Sequence, residues 1–300
     1  MPVLFSTACS AASDSSEEDE TAETSPSHAP PAPRKGAAPK SEPAVEIGTA
    51  KSPSTIDGTS LAKTPLHLRD NSPLPKASAP KSSFLVAIDI GHTKNHSGAI
   101  SARGIAEYDF NRRMSRELFD SMQSAAQFRS LLINPGGTDI GLVKRAQVAN
   151  DRLANLFLAI HHDSVKDQFL KDWQLNGKDL KYCDDFHGYS VFFSRKNAAA
   201  TRSREFAMVL GEELLTAGFT PTLHHVAQEH RPIIDREKGV YAFDDLLVLK
   251  NARMPAVLLE CGVIVNRNEE EQVNSQPYRA KMISAIEAAI TDFAHNTPQN

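Results

Sequence analysis

The sequence predicts an α/β fold: a single domain with a mostly parallel central sheet flanked by helices, preceded by a disordered N-terminal tether. From residue 84 onward, short and nearly continuous apolar runs alternate with longer segments of helical periodicity. Such runs are typical of parallel strands that are buried on both faces. The composition is different before residue 83, because 12 of the 18 prolines lie there among Ser, Ala, Thr, Lys and Glu.

This change in composition divides the chain into an N-terminal tail over residues 1–82 and a folded domain over residues 83–296. The tail carries too little apolar surface to offset the conformational entropy that ordering would cost. Its opening, MPVLFSTACS, places a short apolar run before Cys9 and is similar to the end of a lipoprotein signal. A stray cysteine in a random tail is the alternative interpretation.

Charge and hydropathy argue against a nucleic-acid partner and against a transmembrane helix. The net charge of -4 is mild, so the composition predicts no nucleic-acid partner. The chain has no apolar run of 18 residues, so we expect no transmembrane helix.

The first elements of the folded domain follow from apolar spacing and turn signals. The run at 84–90, FLVAIDI, is mostly apolar and β-branched and predicts a strand. Apolar residues then recur at three- and four-residue steps from Phe110 to Phe128, which predicts a long helix over 106–132. The turn residues INPGG at 133–137 follow it.

The rest of the domain continues the alternation, and Gly218 is typical of a helix C-cap. Residues 220–245 are polar and interrupted by proline, so we expect no long helix there. In order, the remaining elements are a helix over 142–154, strands over 156–160 and 189–194, a helix over 201–217, strands over 246–249 and 256–259, and a helix over 278–294.

Four polar residues meet at one edge of the expected sheet. His92, His161 and Glu260 each follow a predicted strand, and Glu107 stands at the start of the first long helix. The carboxyl ends of parallel strands share one edge. Two His and one Glu are a common ligand set for catalytic zinc, and a further carboxylate nearby suits a general base. From the spacing alone, packed histidines and a glutamate that favours the helix dipole explain the pattern equally well.

Two other histidine patterns are set aside. His162 neighbours His161, but adjacent residues of a strand point to opposite sides. The segment HVAQEH at 225–230 is similar to an inverted zincin motif, yet its spacing is wrong by one residue and Pro232 follows at once. We interpret this segment as lying outside any metal site.

Four sequence blocks occur in order over about 210 residues: AIDIGH at 87–92, GIAEYDFN at 104–111, FLAIHHD at 157–163 after an arginine-containing helix, and PAVLLECG at 255–262. They resemble the zinc-dependent N-acetylmuramoyl-L-alanine amidases, the bacterial cell-separation amidases. The resemblance implies one Zn²⁺ ion bound by His92, Glu107 and His161, with Glu260 as the catalytic carboxylate. It implies hydrolysis of the amide between N-acetylmuramic acid and L-alanine in peptidoglycan, during cell-wall remodelling or daughter-cell separation. The loop after His92 must then fold back to bring Glu107 to the same ion, and Gly98 and Gly104 suit that return.

The resemblance also implies a periplasmic or secreted protein, with an outer-membrane lipid anchor at Cys9 as a further hypothesis. Two alternatives share the fold or the ligands: a non-catalytic or partner-dependent peptidoglycan-binding protein, and a zinc peptidase acting on cell-wall peptides. The need for an activator protein stays open. Residues 164–187 exceed the family minimum and either shape the substrate groove or form a surface insertion. Cys183 and Cys261 either form a disulfide in an oxidising periplasm or stay free.

Overall fold

The computed structural model describes residues 83–125 and 127–296, and the predicted tail with Cys9 lies outside them. None of the described helices is both long and apolar enough to cross a membrane. The strands are β1 (Leu85–Ile90), β2 (Arg129–Ile133), β3 (Leu156–Asp163), β4 (Lys171–Leu175), β5 (Lys178–Tyr182), β6 (Ser190–Phe193), β7 (Ile233–Asp235), β8 (Val240–Ala242) and β9 (Ala256–Val263). The helices are α1 (Glu107–Ala125), α2 (Leu142–Asp151), α3 (Ala200–Thr216), α4 (Leu247–Lys250), α5 (Arg267–Asn274) and α6 (Gln276–His295).

Seven strands form one sheet in the order β2-β1-β3-β9-β6-β8-β7, and β4 pairs with β5 in a separate hairpin. The pairs β1–β2, β1–β3 and β3–β9 are parallel, so the carboxyl ends of these four strands share one edge. β6 runs antiparallel to β9 and parallel to β8, and β7 is antiparallel to β8. The predicted α/β domain with a mostly parallel sheet is confirmed.

Helices cover both faces of the sheet, because alternate residues of each strand project to opposite sides. On one face, the strands pack against α1, α3 and α6 through side chains such as Leu118, Phe206 and Ile286, each fully buried. On the other face, Ala146 of α2 and Leu249 of α4 belong to a second core. The result is a three-layer arrangement with the sheet in the middle.

The register of the sheet places two of the candidate residues side by side. His161 of β3 lies directly opposite Glu260 of β9. The residues two positions earlier, Ala159 and Leu258, belong to the core on the α2 and α4 face. His161 and Glu260 therefore project to that same face at the carboxyl edge. Both lie inside their strands, which run three or four residues beyond the predicted ends; the prediction that they follow their strands is wrong.

The helix predicted over 106–132 is wrong in its last part. α1 ends at Ala125, and Arg129 begins β2, which pairs in parallel with β1. Phe128 lies just before β2 and contacts Phe84, with ring centroids 5.8 Å apart. The apolar residues after position 127 pack in the core around the sheet. Pairing of β2 with β1 overrides the helical spacing that these residues share with α1.

The segment predicted as a strand over 246–249 is also wrong, because it forms the helical turn α4. Val248 and Leu249 of α4 are buried against the sheet. A short apolar run such as residues 246–249 is compatible with a buried strand and with a buried helix, so its sequence alone does not distinguish the two. The other predicted helices and strands are confirmed, with ends shifted by a few residues.

Three further pieces of sheet were not predicted. The hairpin β4–β5 lies in the 164–187 segment, and β7 and β8 lie in the 220–245 segment. The hairpin turns at Asn176 and Gly177, whose φ angles of 51° and 74° are typical of a type I′ turn. The Asn-Gly pair in the sequence therefore indicates a β-hairpin at this position. The expectation of no long helix between 220 and 245 is confirmed, since the one helical piece there is the 3₁₀ turn His224–Ala227.

The two cysteines of the described residues are both buried and free. Cys261 belongs to the large core beneath α1, α3 and α6, whereas Cys183 packs with Val263 and Val265 in a separate cluster. The alternative of a Cys183–Cys261 disulfide is not realised in the structure.

Candidate metal centre

Glu107 lies between two histidines at the carboxyl edge of the sheet. Its Oε2 is 3.0 Å from Nε2 of His92, and its Oε1 is 3.0 Å from Nδ1 of His161. One donor atom from each of the three residues lies within 4.8 Å of the other two. The two imidazole rings approach edge to face, with centroids 5.0 Å apart. The structure therefore brings together the three residues that the sequence predicts as metal ligands.

His92 is held in an unusual backbone conformation. Its φ of 65° lies in the left-handed region, which a residue with a Cβ adopts only at a cost. Arg145 of α2 stabilises it: Nη2 donates to the His92 carbonyl at 2.6 Å, and Nη1 donates to the Ile90 carbonyl at 2.5 Å. The same guanidinium pairs with the Asp89 carboxylate at 2.9 Å. Arg145 is 2% exposed, so one buried side chain fixes the turn after β1.

The loop before Glu107 is closed by hydrogen bonds that run in both directions. The Glu107 amide donates to the Ala99 carbonyl at 2.8 Å, and the Ala99 amide donates to Glu107 Oε2 at 3.1 Å. Gly98 and Gly104 have φ angles of 75° and 82°, which confirms the return that was expected at these glycines. A Cβ on Gly98 would lie 2.3 Å from Glu107 Oε2. A glycine is thus required for the loop to lie against the two ligands.

A buried polar network supports the other side of the Glu107 carboxylate. Nδ2 of Asn111 donates to Glu107 Oε1 at 3.1 Å and to the Gly91 carbonyl at 3.2 Å. Nδ1 of His162 donates to Asn111 Oδ1 at 2.8 Å. His162 therefore points away from His161 and orients the amide that holds Glu107. Gly91 leaves room for His161, since a Cβ there would lie 2.4 Å from Nε2.

The electrostatics of these groups favour a bound cation. Burial opposes ionisation of Glu107, but the hydrogen bonds with His161 and His92 outweigh it and lower the pKa of the carboxyl below its usual range. Burial also lowers the pKa of His92, yet the hydrogen bond and the charge of Glu107 raise it more, and the net shift is upward. Burial lowers the pKa of His162 to about 3, which keeps this imidazole neutral.

Glu260 is placed differently from Glu107, although both are carboxylates near the same edge. Its Oε2 is buried and has no hydrogen-bond partner among the described residues. Burial raises its pKa well above the usual value, and the negative charges of Asp163 and Glu107 add to the rise, while Arg231 opposes it. Burial of this kind favours the protonated form of a carboxyl group.

The donor set fits a catalytic zinc ion. Tetrahedral zinc holds nitrogen and oxygen donors about 2.0–2.2 Å away, which places the donors roughly 3.3 Å from one another. The two 3.0 Å contacts around Glu107 are close to that spacing. The His92 side chain is 32% exposed, so the cluster opens toward solvent on one side. Catalytic zinc sites need such an open position.

The sequence predicted the three residues of this cluster but not most of the contacts that position them. Arg145 lay in a recognised arginine-containing helix, without an assigned contact to β1. Asn111 matched the family block, but its bonds to Glu107 and Gly91 could not be read from spacing. The structure also assembles Asp163, His224 and His225 into a group of possible metal donors, although the sequence analysis placed the segment that begins at His225 outside any metal site.

Residues 86–292 match the family model described as N-acetylmuramoyl-L-alanine amidase, Amidase_3. The chain belongs to this family. The amidase is 26% identical over 234 residues to a probable N-acetylmuramoyl-L-alanine amidase, AmiB, of Haemophilus influenzae, an alignment that covers 69% of the chain and 51% of the relative. It is 24% identical to AmiA of Salmonella typhimurium over 232 residues, covering 74% of the chain and 80% of the relative. The chain thus spans about half the length of the first relative and four fifths of the second.

Solved structures share the fold of the amidase. Ami1 of Mycobacterium smegmatis superposes with a TM-score of 0.58 at 20% identity, covering 73% of this chain and all of that one. The catalytic domain of CwlV from Bacillus (Paenibacillus) polymyxa gives a TM-score of 0.55 at 23% identity, covering 71% of this chain and 99% of that one. Family membership makes the amidase a peptidoglycan hydrolase, and its possible metal-binding group agrees with the metal dependence of the family.

Replacing Arg145 with Met is expected to lower the free energy of unfolding by about 3–5 kcal/mol, because Asp89 would be left buried without its partner. The matched control is Arg152→Met, an exposed position directly after α2, which should change stability by less than about 0.5 kcal/mol. Urea unfolding followed by circular dichroism measures both. Equal effects at the two positions would contradict the role given to Arg145.

Gly98→Ala is expected to weaken metal binding by at least about 10-fold, because the new methyl group would displace the Glu107 carboxylate. Gly177→Ala is the control: its φ of 74° matches the 75° of Gly98, yet no atom lies within 4 Å of the added Cβ. The two variants therefore share the backbone strain and differ in the clash. Zinc affinity can be measured by competition with a chelating dye, and unchanged affinity in Gly98→Ala would refute the packing argument.

Proposed function

We propose that the amidase holds one Zn²⁺ ion with His92, Glu107 and His161 and cleaves the amide between N-acetylmuramic acid and L-alanine of the stem peptide. The observation that carries the proposal is the contact of Glu107 with both histidines, 3.0 Å on each side, at the edge where the sheet also presents Glu260. When bound, zinc lowers the pKa of a coordinated water to about 7 and polarises a carbonyl oxygen.

Glu260 is proposed as the proton carrier of the reaction. In the ionised form it accepts the proton of the attacking water, and it then delivers this proton to the nitrogen of the departing L-alanine. Its buried Oε2 has no hydrogen-bond partner among the described residues, and burial raises its pKa, which supports a carboxyl group that holds the transferred proton. Its position directly across from His161 places it beside the proposed ligands.

The remaining residues of the centre orient the ligands rather than react. Asn111 and the Ala99 amide direct the Glu107 carboxylate toward the two imidazoles. Arg145 fixes the backbone of His92 through its carbonyl. Outer contacts of this kind set the geometry and basicity of metal ligands.

The β4–β5 hairpin is proposed as one wall of the substrate groove. Nε1 of Trp173 donates to the Ala102 carbonyl at 2.9 Å, which ties the hairpin to the loop that precedes Glu107. The guanidinium of Arg267, at the start of α5, lies 3.7 Å from the ring centroid of Tyr182 in β5. The contacts of the hairpin with the loop and with α5 support a role in shaping the groove over that of an unattached surface insertion.

A periplasmic or secreted location is proposed because peptidoglycan lies outside the cytoplasmic membrane. An outer-membrane lipid anchor at Cys9, which lies outside the described residues, is proposed as a further feature. A protein activator is a further proposal: the CwlD amidase of Clostridioides difficile has been solved in complex with the GerS lipoprotein.

Glu260→Gln is expected to lower the rate of stem-peptide release by about 10²- to 10⁴-fold while zinc stays bound, because the amide keeps the shape but loses the proton carrier. The control is Glu237→Gln, at an exposed position between β7 and β8. Purified full chain is incubated with peptidoglycan, and mass spectrometry counts free peptides that begin with L-alanine.

Each alternative leaves a different product pattern in this assay. Binding of peptidoglycan without peptide release from the wild type would favour the non-catalytic or partner-dependent peptidoglycan-binding protein. Peptides cut within the stem would favour a zinc peptidase. Undiminished release by Glu260→Gln would remove Glu260 from the mechanism.

A further inference from the structure

A second cluster of metal-donor side chains lies outside the proposed centre. Nε2 of His225 is 2.7 Å from Oδ2 of Asp163, and Nε2 of His224 is 3.3 Å from the same oxygen. One donor atom from each residue lies within 4.8 Å of the other two. The side chains are 9%, 5% and 3% exposed for Asp163, His224 and His225, so all three are more than nine-tenths buried.

Hydrogen bonding within the cluster leaves one donor unexplained. His225 makes a hydrogen bond to Asp163 Oδ2, but Nε2 of His224 is buried without any hydrogen-bond partner among the described residues, although it faces that same oxygen. A buried polar atom without a partner costs about 1–3 kcal/mol. An ion between the two imidazole nitrogens and the carboxylate oxygen would satisfy all three atoms together.

The surrounding contacts hold the donors in place. Nδ1 of His224 lies 2.8 Å from Thr222 Oγ1, the kind of outer contact that fixes the tautomer of a metal-binding histidine. The Ser164 amide donates to Asp163 Oδ1 at 2.8 Å, which leaves Oδ2 turned toward the histidines. Phe186 packs against the His224 ring, with centroids 5.3 Å apart.

His225 is held by aromatic rings and by two polar neighbours. Phe192 and Tyr241 lie 5.1 Å and 5.6 Å from the His225 ring, centroid to centroid. Nδ1 of His225 is 3.4 Å from the Gln228 side-chain amide and 3.4 Å from Nη1 of Arg231. Rotation of the Gln228 amide would present its oxygen to Nδ1–H once Nε2 binds an ion. Arg231 lies beside Nδ1, across the imidazole ring from Nε2. Because a guanidinium only donates hydrogen bonds, its Nη1 must turn away from Nδ1–H when Nε2 binds an ion.

We propose that Asp163, His224 and His225 form a second site for a divalent transition-metal ion, distinct from the centre at Glu107. Two imidazoles and one carboxylate suit Zn²⁺ and leave a fourth position for water. The ion ties the turn His224–Ala227 to the end of β3, the strand that carries His161. The proposal is independent of the reaction catalysed at the first centre.

Zinc stoichiometry tests the second site directly. The metal-stripped full chain is dialysed against Zn²⁺, and the number of zinc ions bound per chain is measured by elemental mass spectrometry. We expect two ions per wild-type chain, one in His224→Gln, one in His92→Ala and none in the double variant. His225→Asn gives an independent second variant if His224→Gln fails to fold, as judged by circular dichroism.

Two outcomes would overturn the second site, and a third would separate it from the proposed function. One ion in the wild type and one in His224→Gln would mean that the cluster is a metal-free hydrogen-bonded group. Zinc retained by the double variant would place the extra ion elsewhere in the chain, for example on the histidines of the tail. Two ions in a wild type that releases no stem peptides would leave the second site standing and remove the proposed function.

Discussion

The buried guanidinium of Arg145 is the constraint on which the centre depends. It satisfies the carbonyls of Ile90 and His92 and pairs with Asp89, all at the end of one strand. Burial raises the pKa of Asp89 even beside this cation, because the loss of solvation opposes ionisation of the carboxyl group more than Arg145 favours it. The interaction stabilises a positive φ at His92 that would otherwise be unfavourable. These bonds fix the backbone of His92, the first of the three proposed ligands.

Two carboxylates at one sheet edge are given opposite properties by their surroundings. Glu107 accepts hydrogen bonds from both sides and its pKa falls, which suits a permanent ligand. Glu260 has a buried oxygen without a partner and its pKa rises, which suits a group that exchanges protons. The sequence predicted different roles for the two carboxylates, and burial and neighbouring groups shift their pKa values in opposite directions.

The sequence predicted the fold class and gathered the candidate ligands, because buried parallel strands and strand-end residues leave a local pattern. It failed where the outcome depended on distant partners. Residues 129–133 continue the helical spacing of α1 but pair with β1. Asp163 stands two residues after His161 in sequence, yet its partners His224 and His225 come from a polar segment 61 and 62 residues further along the chain. No local pattern encodes such a meeting, since it arises only when the sheet and the 3₁₀ turn are packed together.

Anomalous diffraction at the zinc edge, from crystals of the zinc-loaded protein, tests the central claim most directly. The account predicts a zinc peak bounded by Nε2 of His92, a carboxylate oxygen of Glu107 and Nδ1 of His161, each about 2.0–2.2 Å away. Soaking in a chelator should remove the peak. Absence of zinc between these three residues in a protein that releases stem peptides would contradict the account.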